Sequence, residues 1–243
     1  MNLNNYSKII KILKKTDKVL DIGAWERPFN RANYIIDLMP YQTRKTQNSY
    51  PSDMSEQFSE KSWIIHDITQ SLPFGDKEFD FVTCGHILED IKDPIKLCAE
   101  IIRVSKAGYI EFPNRSYEMR TCVDPFINSN KYVGYCHHRW FIEIKDDGLY
   151  FVPKTAIHSV LPFLRCKKAK SRTSGFFWDN SFASHEFFFS SYKDIVHESI
   201  KFRSMNDNIS EKYLLMIHNI YRVLNVPLIR FLRKIKNGRI NDD

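Results

Sequence analysis

Asp67-Ile68, Leu72-Pro73-Phe74-Gly75-Asp76, Phe79-Asp80-Phe81-Val82-Thr83-Cys84-Gly85-His86-Ile87-Leu88-Glu89-Asp90, Glu100-Ile101-Ile102-Arg103-Val104 and Gly108-Tyr109-Ile110-Glu111-Phe112-Pro113 follow one another in the part of the chain that decides its fold. Phe79 to Cys84 is a short, nearly unbroken apolar run, which predicts a strand buried on both faces. Asp93-Pro94 is the pairing expected of an N-cap and a first helical residue, since aspartate accepts a free backbone N–H and proline lacks the N–H that would go unpaired. Gly108 is read as the residue that closes this helix, and Tyr109 to Phe112 as a second buried strand. Strand, helix and strand in this order make a β-α-β unit of a parallel sheet.

Working outward, Lys18-Val19-Leu20-Asp21-Ile22-Gly23, Tyr34-Ile35-Ile36-Asp37 and Trp63-Ile64-Ile65-His66-Asp67 read as three earlier strands, each ending near Asp or Gly. Residues 3 to 15 place Leu3, Tyr6, Ile9, Ile10 and Leu13 at helical spacing opposite Lys8, Lys11, Lys14 and Lys15, which predicts an amphipathic opening helix. Downstream, Arg139 to Ile144 and Leu149 to Val152 flank Lys145-Asp146-Asp147-Gly148 as a hairpin, Phe187-Phe188-Phe189 reads as a further strand, and Glu211 to Lys236 as a helix broken at Pro227. Arg44 to Glu60 is polar and irregular and reads as a surface loop. The expected fold class is α/β: a Rossmann-like, doubly wound, mostly parallel sheet with helices on both faces, plus a C-terminal β-hairpin and helical elaboration. Residues 1–114 are expected to form the core, and residues 115–243 to complete the sheet and add an acceptor-side elaboration with a basic helical tail. In such a sheet the ligand crevice lies beyond the carboxyl ends of the strands.

The 243 residues, 43% hydrophobic and 27% charged, suit one α/β domain with an elaboration. No run reaches the roughly 18 apolar residues that a membrane span needs, and the N-terminus lacks a secretory pattern, so a cytoplasmic location is expected. Five cysteines at scattered spacings, with no Cys-x-x-Cys pair, read as reduced thiols. The net charge of +7 is concentrated late: five basic residues and no acid lie between Arg165 and Arg172, and Lys201 to Asp243 holds nine Lys or Arg against four acids. Val223 to Lys236, apolar with basic punctuation, would suit peripheral contact with an anionic membrane, or docking on the domain.

The Asp67 to Pro113 stretch resembles the second half of a class I S-adenosylmethionine (SAM) dependent methyltransferase, closest to the broad type 11 group of small-molecule enzymes. The acid, the Leu-Pro-Phe turn, the Phe-Asp strand start, the Leu-Glu pair and the Arg-Val helix end carry the resemblance, which extends over roughly residues 17 to 114. It implies SAM as cofactor. Asp21 and Gly23 would then meet the methionine half, through an ammonium contact and close backbone approach, although Ala24-Trp25-Glu26-Arg27-Pro28 replaces the usual glycine-rich continuation. Asp37, followed by Leu38, would accept the ribose hydroxyls, and Asp67 with Ile68 would read the adenine. Cys84, Gly85 and His86 would lie beside the transferred methyl group. Each residue also has a plainer reading, as a strand exit, a solvated strand terminus, a turn cap or a packing histidine.

Glu89-Asp90 stands where many relatives carry Glu-His, and Asp90 is given no acid-base role. The candidate catalytic bases are His137 and His138, which alternatively serve as surface or hydrogen-bonded packing residues. Cys136 beside them brings a metal to mind, but no second cluster at zinc-ligand spacing accompanies it, and no metal is expected. The resulting expectation is an O-methyltransferase acting on a small molecule or glycan, a lipid-linked saccharide included. An RNA methyltransferase and a non-catalytic Rossmann-like binding module are the alternatives. Nucleic acid ranks below a small-molecule or saccharide acceptor as a partner.

Overall fold

The computed structural model describes residues 1–44, 55–127 and 129–222. The expected basic tail from Val223 onward, and most of the expected polar loop, lie outside the described residues.

Six strands form the main sheet. In chain order they are β1 (Val19–Ile22), β2 (Tyr34–Asp37), β3 (Trp63–Ile65), β4 (Phe79–Gly85), β5 (Ser105–Pro113) and, much later, β8 (Thr173–Asp179). Their spatial order is β3-β2-β1-β4-β5-β8, with the first five parallel and β8 antiparallel to β5. The order reverses at β1, the topological switch point where ligands of open α/β sheets bind.

Among the described residues, one helix packs on each face. Helix α1 (Leu3–Ile12) lays Tyr6 and Ile9 against Val19, Ile35, Phe81 and Tyr109. Helix α2 (Pro94–Val104) lays Leu97, Cys98, Ile101 and Val104 against Leu20, Ile22, Val82, Cys84 and Ile110. The strand residues alternate between the two sets, as the two-residue repeat of a strand requires. Asp93 caps α2 by accepting from Lys96 N at 2.9 Å, with Pro94 in the first turn.

Two expectations are corrected. Gly108 does not close α2: the helix ends at Val104 and Gly108 lies inside β5, where a Cβ would come within 2.6 Å of Val82 Cγ1 and 2.8 Å of Trp178 Nε1. Phe187 to Phe189 form no strand; the third strand of the second sheet is the preceding Ala183–Glu186. Phe176-Phe177-Trp178, given no element in the sequence, belongs to β8.

The second sheet contains the expected hairpin, β6 (Trp140–Lys145) and β7 (Gly148–Pro153), with β9 (Ala183–Glu186) parallel to β7. Ile142, Leu149 and Phe151 face the main core. Phe141 and Val152 face the other way, toward α4 (Ala156–Val160) and α5 (Tyr192–Asp207). Arg115, on the short α3 (Arg115–Glu118), is buried between Glu143 of β6 and Glu198 of α5, with Phe202 stacked 4.1 Å from its guanidinium carbon. The two carboxylates compensate the charge of this buried cation, although its Nε has no hydrogen-bond partner, and the pairing ties α5 to the second sheet. A further helix covers residues 211–222.

Candidate functional site

The crossover from β1 to β2 contains no helix, so side chains rather than a backbone ladder have to order residues 23–33. Gly23 turns out of β1 with φ +68°, donating its N–H to Ile36 O at 2.9 Å. This left-handed turn favours glycine, and a Cβ there would strike the side chain of Ile87. Asp37 at the end of β2 accepts from Trp25 N at 2.9 Å and from Met39 N at 2.8 Å, one bond to each oxygen. Trp25 also sends its indole N–H to Thr43 O at 2.9 Å. Asp21 is buried and accepts from Phe29 N at 2.7 Å and Thr83 Oγ1 at 2.6 Å. Burial pushes its carboxyl up to about 6, although the bonds from Thr83 and Phe29 pull the other way.

Asp67 and Ile68 follow β3 on a turn. Asp67 is exposed and accepts from Thr69 N at 2.9 Å and Thr69 Oγ1 at 2.8 Å, which holds its carboxyl below the usual range. Ala24 is buried under the β1 turn, whereas Leu38 stands 66% exposed beyond β2.

At the end of β4 the Cys84 thiol is buried and burial pushes it well above its ordinary range. A Cβ on Gly85 would meet nothing within 4 Å, so space opens at this strand end. His86 follows with φ +58° and its ring lies between two carboxylates, 3.2 Å from Glu89 Oε1 and 3.4 Å from Glu111 Oε1. Burial alone would lower its pKa, but Glu111 and Glu89 outweigh it and raise it to about 9. Glu111 is held at about 2 despite its burial, by bonds from His86, Tyr109 and Asn2 N among others.

Asp90 is not without an imidazole. Glu89 O accepts from Arg139 N at 2.7 Å and Trp140 N at 3.2 Å, and this backbone clasp brings the segment before β6 onto the turn after β4. His137 Nε2 and His138 Nε2 then lie 4.0 and 3.8 Å from Asp90 Oδ1. His138 turns its other nitrogen to Glu118 Oε2 at 3.2 Å, and Lys154 Nζ holds the same oxygen at 3.0 Å. The carboxyl of Asp90 is raised from its ordinary value, by burial first, while the two histidines draw it down. The histidines' companion is therefore Asp90, 47 residues upstream of His137, and not the neighbouring Cys136.

Glu111, Glu118 and Lys154 were not singled out in the sequence, and Glu89 was noted only for the resemblance and not as a partner of His86. Glu111 had a signal, a lone acid in the apolar run Tyr109-Ile110-Glu111-Phe112; Glu118 and Lys154 had none. A separate groove of about 1190 Å³ opens between the second sheet and α5, lined by Arg115, Lys145, Phe187, Phe188 and Lys201 among others. None of the cofactor candidates lines it.

These residues fit SAM. The left-handed Gly23 turn, the carboxylate of Asp37 beside it and the open space at Gly85 stand on three adjacent strand ends of the switch point. Each oxygen of Asp37 accepts one backbone N–H and keeps a lone pair for a hydroxyl.

Residues 23–110 match the model of a family described as a methyltransferase domain. No curated protein matches the chain. Among solved structures, a SAM-dependent methyltransferase from Mesorhizobium loti is 12% identical with a TM-score of 0.34, over 64% of this chain and 68% of that one. A SAM-dependent methyltransferase from Aquifex aeolicus is 17% identical with a TM-score of 0.32, over 46% of this chain and 65% of that one. The YcgJ protein of Bacillus subtilis is 18% identical with a TM-score of 0.35, over 51% and 60%. The chain spans between 46% and 68% of the length of the solved structures it resembles.

Proposed function

We propose that this chain, whose residues 23–110 form a methyltransferase domain, transfers the methyl group of SAM to an oxygen of a small molecule or glycan, a lipid-linked saccharide included. The observation that carries the reading is the placement of an acceptor-side cluster, Asp90 with His137 and His138, five residues past the open strand end at Gly85.

When bound, SAM supplies a methyl group made electrophilic by its sulfonium. The residues of the chain do the rest by positioning. Gly23 lets the backbone approach the methionine half, and Asp37 accepts the ribose hydroxyls. Leu38 and Met39, both exposed at the end of β2, with Asp67 and Ile68 across from them, offer an apolar wall and an acceptor for the adenine. Cys84, Gly85 and His86 border the reacting end. A neutral hydroxyl acceptor has to lose its proton as the new O–CH₃ bond forms and the S–CH₃ bond breaks with its electron pair going to sulfur. Asp90, His137 and His138 are the groups placed to promote that loss.

Calorimetric titration of the purified protein with SAM, S-adenosylhomocysteine and NADH tests the reading. Micromolar binding of the two sulfur ligands without binding of NADH supports it and directs an acceptor screen with methyl-labelled SAM, beginning with sugars. Failure of both sulfur ligands to bind would overturn it in favour of a scaffold without a cofactor.

A further inference from the structure

We infer that Asp90, His137 and His138 form a binding site for a divalent transition-metal ion of the zinc type, an inference that rests on the acceptor-side reading above.

Three features point the same way. First, the three side chains bring one ligand atom each to within 4.8 Å of one another. The separations of 4.0 and 3.8 Å from Asp90 Oδ1 to the two Nε2 atoms are too long for hydrogen bonds and slightly wider than the roughly 3.3 Å edge of a tetrahedron with metal bonds of about 2.0 to 2.1 Å. Side chains that met for each other's sake would close to hydrogen-bonding distance; these stand around a common point. Second, Asp90 Oδ1, the oxygen nearest both imidazoles, is buried and has no hydrogen-bond partner. An ionisable oxygen in this state is costly unless something positive occupies the space in front of it. Third, His138, only 7% exposed, has its Nδ1 3.2 Å from Glu118 Oε2 without a formed hydrogen bond, and that carboxylate is itself held by Lys154. A carboxylate behind the far nitrogen is the arrangement that orients a metal-binding imidazole and raises its basicity.

Two imidazoles and a carboxylate suit a borderline divalent ion rather than magnesium or calcium, which prefer all-oxygen shells. Three protein ligands leave a position open for a water or an acceptor hydroxyl. A hydroxyl bound there would release its proton to water near neutral pH, as water on zinc does. The ion would thus promote the proton loss that the transfer requires, and the histidines would act as its ligands.

The test uses the tag-free full chain, stripped with a chelator and desalted, and titrated with Zn²⁺ and with Co²⁺. The expected result is one equivalent bound per chain, with a visible Co²⁺ absorption band that Zn²⁺ abolishes. His137→Ala, His138→Ala and Asp90→Asn are expected to weaken binding at least tenfold, and Glu118→Gln about tenfold. His137 is 63% exposed, so its removal leaves the core intact. Titration of the same metal-free samples with SAM checks folding and separates the two readings. SAM binding without stoichiometric metal, or metal binding unchanged in all three ligand variants, overturns this inference alone. Stoichiometric, ligand-dependent metal binding without SAM binding upholds it and removes the cofactor reading instead.

Discussion

At the scale of single residues, Asp21 is a costly choice. It is fully enclosed, and its carboxyl is raised from 3.8 to about 6 by that burial. A raised folded pKa means that the native state gives up its proton less readily than the unfolded chain, so stability falls as pH rises from 3.8 through about 6. Above that range the loss is about 3 kcal/mol. Asn keeps the acceptor for Phe29 N and carries no charge. Asp21→Asn should therefore gain thermal stability relative to the wild type between pH 4 and pH 7.5, and paired melting curves at the two pH values would show it. A carboxylate kept at such expense is a mark of a working site, and the same variant should bind SAM more weakly. Asp37 differs, because its two backbone bonds already stabilise it. Asp37→Ala should weaken SAM binding by about 1 to 3 kcal/mol, the loss of a charged acceptor for a ribose hydroxyl, as read by calorimetry. Unchanged affinity would place the ribose elsewhere.

At the scale of elements, what could be read in advance depended on how local the cause was. The start of α2 was legible because the cap, Asp93, and the proline after it act within one turn. Its end was not. A glycine four residues past a helical run looks like a terminator, yet Gly108 is there because Val82 on the neighbouring strand and Trp178 on β8 leave no room for a Cβ. That reason spans distant parts of the chain. Gly108→Ala should accordingly destabilise the protein by about 1 to 3 kcal/mol through overpacking. Combining it with Val82→Ala should recover part of the loss in denaturant unfolding, whereas additive losses would show that the two residues do not compete for the same space. β8 was missed for a related reason. Its first four residues are all half-buried, so no two-residue alternation stands out there. The cofactor candidates could be located because strand ends converge in any open parallel sheet, but the grouping of Asp90 with His137 and His138 depends on the clasp between Glu89 O and the amides of Arg139 and Trp140, which no local pattern announces.

At the scale of the molecule, the two sheets share one core: Ile142, Leu149 and Phe151 of the hairpin lie in the same cluster as Leu20, Val82 and Ile110. No helix among the described residues is long and apolar enough to cross a membrane. With few helices on the main sheet among the described residues, the second sheet supplies part of its cover and β8 closes its β5 edge. A fragment of residues 1–114 should therefore be insoluble or bind hydrophobic dyes when expressed alone, while a soluble, cooperatively unfolding fragment would show that the first half is self-sufficient. The position of β8 has a consequence in time. A ribosome delivers β5 roughly 60 residues before the strand that pairs with its outer edge, which at about 5 to 20 residues per second is an interval of about 3 to 12 s. Throughout it, Tyr109, Ile110 and Phe112 sit on an open β edge, a ready template for a neighbouring nascent chain. For this protein, synthesis rate and chaperone supply should set the yield of folded molecules as much as the stability of the finished fold does.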